Sequence, residues 1–306
     1  MKVAFAGTPG FAAQVLEGLL GSGHEVGLVV SQPPRRRGRG RKFSQTPVGK
    51  LAASRNLNLV QPEDIGEVAD RIASSSDVLV VAAYGQILRR EVLGAARHGA
   101  YNVHPSLLPA YRGAAPVERA IMNGEKVTGV SIMKMDEGLD TGPVALRQEV
   151  EIDPETTGGE LSERLARIGA DLLVRVLDDL EAGRLHLEEQ DHSRATYAAK
   201  ISPEERFIRW GAEARRVHDH VRALSPHIGA RTTHPDVEGP VKVWRTRIAR
   251  DVAGLGPGEI LAQKERLLVG CGEGALEILE LQLPGGRALS SAEFLRGHRL
   301  SGAFGG

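Results

Sequence analysis

A chain of 306 residues, 41% hydrophobic and 25% charged, has enough apolar surface for two ordinary cores, and its formal net charge of zero excludes nucleic-acid binding by global charge. One cysteine, Cys271, excludes an intrachain disulfide, fits a reducing compartment and reads as a small buried hydrophobe. The apolar opening is too short for a signal segment and no run approaches a membrane span, so a cytoplasmic protein is expected.

Lys2 to Gly7 reads as an edge-free first strand, Gly7-Thr-Pro-Gly10 as a turn, and Phe11 to Leu20 as a helix. That order opens a doubly wound α/β sheet. The turn lacks the third glycine of a dinucleotide fingerprint, and no acid follows Val26 to Val30, so a dinucleotide site is disfavoured. Residues 35–42 then hold six cations and no anion, with glycines that forbid a stable helix. This reads as a loop, either merely solvated or able to grip phosphates and order on contact. Pro47 to Leu59 reads as a helix, and Asp77 to Ala83 as a buried strand.

The next short strand, Ala100-Tyr-Asn-Val, leads to Asn102 and His104, whose spacing places both side chains on one side of an extended segment. Pro105 and Pro109 stiffen the exit loop. After the apolar run Gly129 to Met133, Asp140 sits in the turn Gly138-Leu-Asp-Thr-Gly142. An amide, an imidazole and a carboxylate at the carboxyl ends of neighbouring strands suit acyl transfer, although three unrelated turn residues would read the same way.

Thr156 to Ala182 has leucines at helical spacing and reads as a core-facing helix. Residues 188–206 are polar and read as a linker, with His192 exposed, which divides the chain into a catalytic domain (1–187) and a C-terminal domain (207–306). The latter opens with a helix from Ala212 to Ala223. Short strands follow at 241–248, 258–261, 267–270 and 275–282, and suggest a small β-barrel. It carries 14 lysines and arginines against 11 acids, and Lys242, Arg245 and Arg247 flank Trp244. That strand is an acceptable RNA surface or an ordinary solvated one.

Asn102-Val-His104, Ser106-Leu-Leu-Pro109, Tyr111-Arg-Gly-Ala-Ala-Pro116 and Met135-Asp-Glu-Gly-Leu-Asp-Thr-Gly142 together resemble the folate-dependent formyltransferases. The resemblance covers nearly the whole chain. It implies a Rossmann-like core, a mostly parallel sheet, followed by an oligonucleotide-fold-like barrel. It also implies 10-formyltetrahydrofolate as formyl donor, tetrahydrofolate as product, and Asn102, His104 and Asp140 as catalytic residues. Ser106, Leu107, Leu108 and Pro109 match the family's folate loop, with the pterin expected against Tyr84, Gln86, Ile87, Leu88 and Leu139. The opening Phe5 to Ala12, the basic loop and the barrel resemble the branch acting on methionyl initiator tRNA in translation initiation. There Arg39 matches a key position, and Arg36, Arg37, Arg41, Lys42, Lys242 and Arg245 are the further expected tRNA contacts. A monomer is expected. One departure is Ser225-Pro-His-Ile-Gly229, where an aromatic is expected after the proline.

The donor inventory agrees with that chemistry. Cys271 lies in the other domain and Ser106 has no evident base, so a covalent intermediate is unsupported, and no cluster has zinc spacing. Asn102 can stabilise an oxyanion, His104 can donate a proton when charged, and Asp140 can accept the amine's proton through water. Relatives that formylate a nucleotide-linked amine or hydrolyse formylfolate share this core. A catalytically dead RNA-binding protein on the same fold is the alternative of a different class.

Overall fold

The computed structural model describes residues 1–37 and 42–305, with the backbone alone at Arg36, Arg37 and Lys42. The chain forms two compact units. The first comprises Met1–Pro116, Val127–Glu151 and Ser162–Ala198, and the second Val117–Lys126, Ile152–Leu161 and Ala199–Gly306.

The chain begins β1 (Lys2–Gly7), α1 (Gly10–Leu20), β2 (Glu25–Val30), β3 (Arg35–Arg37), β4 (Lys42–Ser44), α2 (Pro47–Ser54) and β5 (Leu59–Val60). It continues through α3 (Ala69–Ser75), β6 (Val78–Ala82), α4 (Arg90–Leu93), β7 (Ala100–His104), β8 (Arg112–Gly113) and α5 (Pro116–Met122). Then come β9 (Val127–Lys134), β10 (Val144–Glu151), α6 (Gly158–Glu181), β11 (Tyr197–Ala198) and α7 (Ala214–Leu224). Strands β12 (Ala230–His234), β13 (Val237–Ala249), β14 (Ile260–Gln263), β15 (Arg266–Gly270), β16 (Ala275–Gln282) and β17 (Ala288–Ser290) precede α8 (Ser291–Gly297).

Seven of the described strands make one sheet in the order β10-β9-β7-β6-β1-β2-β5. The five from β7 to β5 are parallel. Both of their faces are covered, which is why they read as unbroken apolar runs. Ala4, Ala6, Leu79 and Val81 face a cluster containing Ile65, Ile72 and Val92. On the other face Gly169 of α6 meets Val103, so closely that an added Cβ would lie 2.7 Å from its Cγ1. Strand order reverses at β1, so the loops leaving β1 and β6 diverge and open a crevice at the sheet's carboxyl edge. Thr8 Oγ1 donates across the base of that crevice to Tyr84 O at 2.8 Å.

Several expectations change. The basic run is not a plain loop: β3 and β4 pair antiparallel, Arg36 opposite Phe43 and Arg37 opposite Lys42. The helix expected to reach Leu59 ends at Ser54, where Asn56 takes φ +53° and turns the chain into β5. Strand β9 runs antiparallel to β7, pairing His104 with Ser131 and Tyr101 with Lys134. Its carboxyl end therefore lies at the opposite edge from that of β7, and the segment carrying Asp140 has to return along the sheet. The polar segment 188–206 is not a plain linker either: β11 forms a parallel ladder with β8, and Gln190 is buried.

In the second unit β12-β13-β16-β15-β14 form a sheet with β17 added to β16. Sequence patterning passed over β12, β17 and α8, whose runs are short. Residues 302–305 close this sheet. Gly305 bridges Thr233 of β12, while Ala303 bridges Glu259 beside β14. Phe304 is buried and stacks on Trp210, centroids 5.9 Å apart. Two segments from earlier in the chain belong to this unit. Arg119 of α5 grips Glu205 at 2.6 and 3.0 Å. Buried Arg222 of α7 donates to Asp153 O and Thr156 O, and His218 Nε2 donates to Pro154 O at 3.1 Å. At Ser225–Gly229, where an aromatic was expected, Pro226 packs where a Cβ on Gly159 would stand, 2.4 Å away.

Candidate active site

Asn102 and His104 alternate along β7 and are both buried. The Asp140 carboxylate lies between them: Asn102 Nδ2 donates to Oδ1 at 3.4 Å, and His104 Nδ1 stands 3.7 Å from Oδ2. The imidazole's other nitrogen, Nε2, is 2.9 Å from Tyr111 O. A carbonyl only accepts, so Nε2 carries hydrogen and Nδ1 is the nitrogen free to exchange a proton beside the carboxylate. Gly113 N–H donates to Asp140 Oδ2 at 2.8 Å. Gly113 has φ +114° and passes so close to Ala198 that a Cβ would lie 3.0 Å from Ala198 O, so glycine is required there.

Asp140 itself has φ +53°, a left-handed conformation costing about 1 kcal/mol for a residue with a Cβ. Its backbone is gripped by Gln190, whose Nε2 donates to Asp140 O at 2.9 Å and to Gly142 O at 2.6 Å. Gln190 Oε1 accepts from Arg112 Nε at 3.2 Å and Nη2 at 2.6 Å, and Arg112 is itself 2% exposed. His192, expected to be a bystander, is exposed on its surface but accepts from Arg112 Nη2 at 2.9 Å. Thr196 Oγ1 accepts Tyr111 N–H, so β11 and its approach strap the 111–113 turn that holds His104 and Asp140. Sequence reading missed Arg112, Gln190 and Thr196. Nothing local marks them, because each acts through a partner 48–85 residues away.

The residues expected at the folate divide by where their side chains go. Ser106 donates to Ala110 O at 2.6 Å, and Leu108 packs in a cluster with Met133 and Val144. Leu107 covers Gly129, with its Cδ2 2.4 Å from where a Cβ would stand. Pro109 O accepts from Thr196 N. Tyr84 is 2% exposed in the core, where burial, then the nearby carboxylates of Asp64 and Glu67, push its phenol up to about 12. Gln86 clasps the 63–65 turn, accepting from Ile65 N and donating to Glu63 O. Leu88 is buried, whereas Ile87 is 90% and Leu139 59% exposed. Those two are the large apolar side chains of the set that stand exposed, and Leu107 and Pro109 are half-buried.

Of the basic residues, Arg36, Arg37 and Lys42 lie on the β3–β4 hairpin, and Arg39 and Arg41 lie outside the described residues. Lys242 Nζ sits 4.8 Å from the Trp244 ring centroid, and Arg245 is exposed, whereas Arg247 is engaged by Glu277 at 2.9 Å. Cys271 is buried, and burial pushes its thiol up to about 11. No helix among the described residues is long and apolar enough to cross a membrane.

Residues 1–177 match the formyl transferase family model, and residues 200–299 match that of the formyl transferase C-terminal domain. The chain is 66% identical over 304 residues to the methionyl-tRNA formyltransferase of Rubrobacter xylanophilus, covering 99% of each. It is 44% identical to that of Carboxydothermus hydrogenoformans, covering 98% of this chain and 97% of the relative. A variant of HypX from Aquifex aeolicus shares the fold with a TM-score of 0.71 at 18% identity, over 98% of this chain and 49% of that one. The carboxylate held between an amide and an imidazole of one strand, β7, thus sits in a chain that belongs to the formyl transferase family.

Proposed function

We infer that the chain transfers the formyl group of 10-formyltetrahydrofolate to the α-amino group of methionyl initiator tRNA. The observation that carries this reading is the near-complete likeness to methionyl-tRNA formyltransferases combined with the Asn102–His104–Asp140 constellation.

The amine lone pair attacks the formyl carbon, and the carbonyl electron pair moves to oxygen. Asn102, whose amide nitrogen has a second hydrogen besides the one turned to Asp140, donates to that oxyanion. Asp140 takes the proton the amine loses. Collapse restores the carbonyl, breaks the bond to folate N10, and leaves N10 needing a proton. His104 Nδ1 supplies it. Nδ1 and Asp140 Oδ2 are 3.7 Å apart, so the proton passes from amine to leaving nitrogen through this pair by way of one bridging water or a closer approach. The pterin is read by the backbone of 84–88 and of the Asp140 loop, with Ile87 and Leu139 as apolar contacts. The basic residues Arg36, Arg37, Arg39, Arg41 and Lys42 grip the acceptor end of the tRNA, and Lys242 and Arg245 hold its body. All three catalytic groups come from one chain, which supports a working monomer, and substrates of translation initiation support a cytoplasmic protein.

The test is formyl transfer from 10-formyltetrahydrofolate to methionyl initiator tRNA and to free methionine. Turnover on the charged tRNA alone is the expected result. Equal turnover of free methionine would remove the RNA from the reading.

A further inference from the structure

We propose that Gln190 is a positioning residue for the formyl-transfer reaction, holding Asp140 in the strained backbone conformation that aims its carboxylate. Its role in catalysis rests on the function inferred above; its grip on the loop does not.

Gln190 lies in the polar stretch after α6, yet is 5% exposed. Its four contacts use the whole carboxamide. The oxygen accepts twice from Arg112, and the nitrogen donates once each to Asp140 O and Gly142 O. A guanidinium only donates and a carbonyl only accepts, so this orientation of the amide is the one that satisfies every partner. Glutamate would keep the acceptors and lose both donors. Methionine, of similar length, would lose all four. The carbonyls gripped belong to the residue with φ +53° and to a glycine two positions on. Between the grip and the carboxylate there is only the Asp140 side chain, whose other end receives Gly113 N–H from the residue next to Arg112. Arg112, Gln190 and Gly113 therefore close a ring around Asp140 that fixes both its backbone and its carboxylate.

The experiment compares Gln190→Glu and Gln190→Met with the parent, and repeats Gln190→Glu in an Asp140→Asn background. Hydrogen exchange of residues 138–142 is measured first. Both variants should speed exchange there while β9 stays protected. Unchanged exchange would overturn the proposal whatever the activity, and it can be read even if methionyl-tRNA proves not to be the acceptor. In the formylation assay, Gln190→Glu should lower kcat by ~10–100-fold, the range for a misplaced catalytic group, and leave the folate KM within a few-fold. In the Asp140→Asn background the same change should cost less than threefold, because there is no carboxylate left to aim. The same loss in both backgrounds would assign Gln190 a structural role only. Gln190→Met, which also takes both Gln190 hydrogen bonds from the buried Arg112 cation, should additionally lower the melting temperature.

Discussion

At Asp140 the two ends of one residue are held by different partners, the carbonyl by Gln190 and the carboxylate by Gly113, Asn102 and His104. Two substitutions separate shape from charge. His104→Ala should lower kcat by ~10²–10⁴, the span of a lost general acid, with folate-analogue affinity within a few-fold of the parent. Asp140→Asn keeps an acceptor for Gly113 N–H but removes the charge, and should also act on kcat rather than on folate affinity. Equilibrium binding beside steady-state rates would check both. That Asn102 and His104 share one side of a strand was legible, because a period of two needs only local residues. That Asp140 would stand beside them rested on the family resemblance, since the antiparallel course of β9 is not written in the turn that carries it. Gln190 was not legible, since a buried amide between a cation and two carbonyls looks the same in sequence as an exposed one.

The densest positive charge in the sequence is at residues 35–42, where β3 begins and β4 starts. Removing 35–42 should raise the KM for charged tRNA and spare folate binding. The defect should shrink as salt rises, because each phosphate contact releases counterions. Helix α5 offers a test by pH. Burial pushes the Glu118 carboxyl up, against the opposing pull of its own backbone N–H, His227 and Arg119. A group with a raised folded value contributes its full stability below the unfolded pKa and loses it as pH rises through the folded one. Glu118→Gln should therefore raise the melting temperature at neutral pH, and the gain should vanish below about pH 4. Glu205 behaves in the opposite sense. The Arg119 guanidinium, then Ser202 N–H, hold its carboxyl down to about 2. Its contribution is present above the unfolded pKa and lost as pH falls from about 4 towards 2. Arg119→Ala should start acid unfolding at a higher pH, read by circular dichroism. That α5 would answer to Glu205, 86 residues on, was hidden from a reading by local periodicity.

On the scale of the whole molecule, composition changes near residue 207, which suggests a severable border there. The compact units do not follow it, because 117–126 and 152–161 belong with 199–306. A chain cut after Arg206 keeps the Arg119–Glu205 pair but leaves the carbonyls of Asp153, Pro154 and Thr156 without Arg222 and His218. It should melt several degrees lower than the full chain or aggregate, as calorimetry would reveal. A cut chain with the parent's melting temperature would show that these segments hold without their unit. The fold class was legible because buried parallel strands are apolar throughout. The interleaving was not, because it depends on single long-range hydrogen bonds.

The closure of the second unit by residues 302–305 also sets a timetable for synthesis. At about 5–20 residues per second, a ribosome needs roughly 7–30 s after making residue 161 to reach residue 305. For most of that interval the 117–126 and 152–161 segments have emerged, while the strands and helix that receive them are unmade or incomplete. The nascent chain therefore presents the apolar face of α5 to its surroundings at the stage when the first unit can already fold. A holding chaperone would find its binding segment in that stretch.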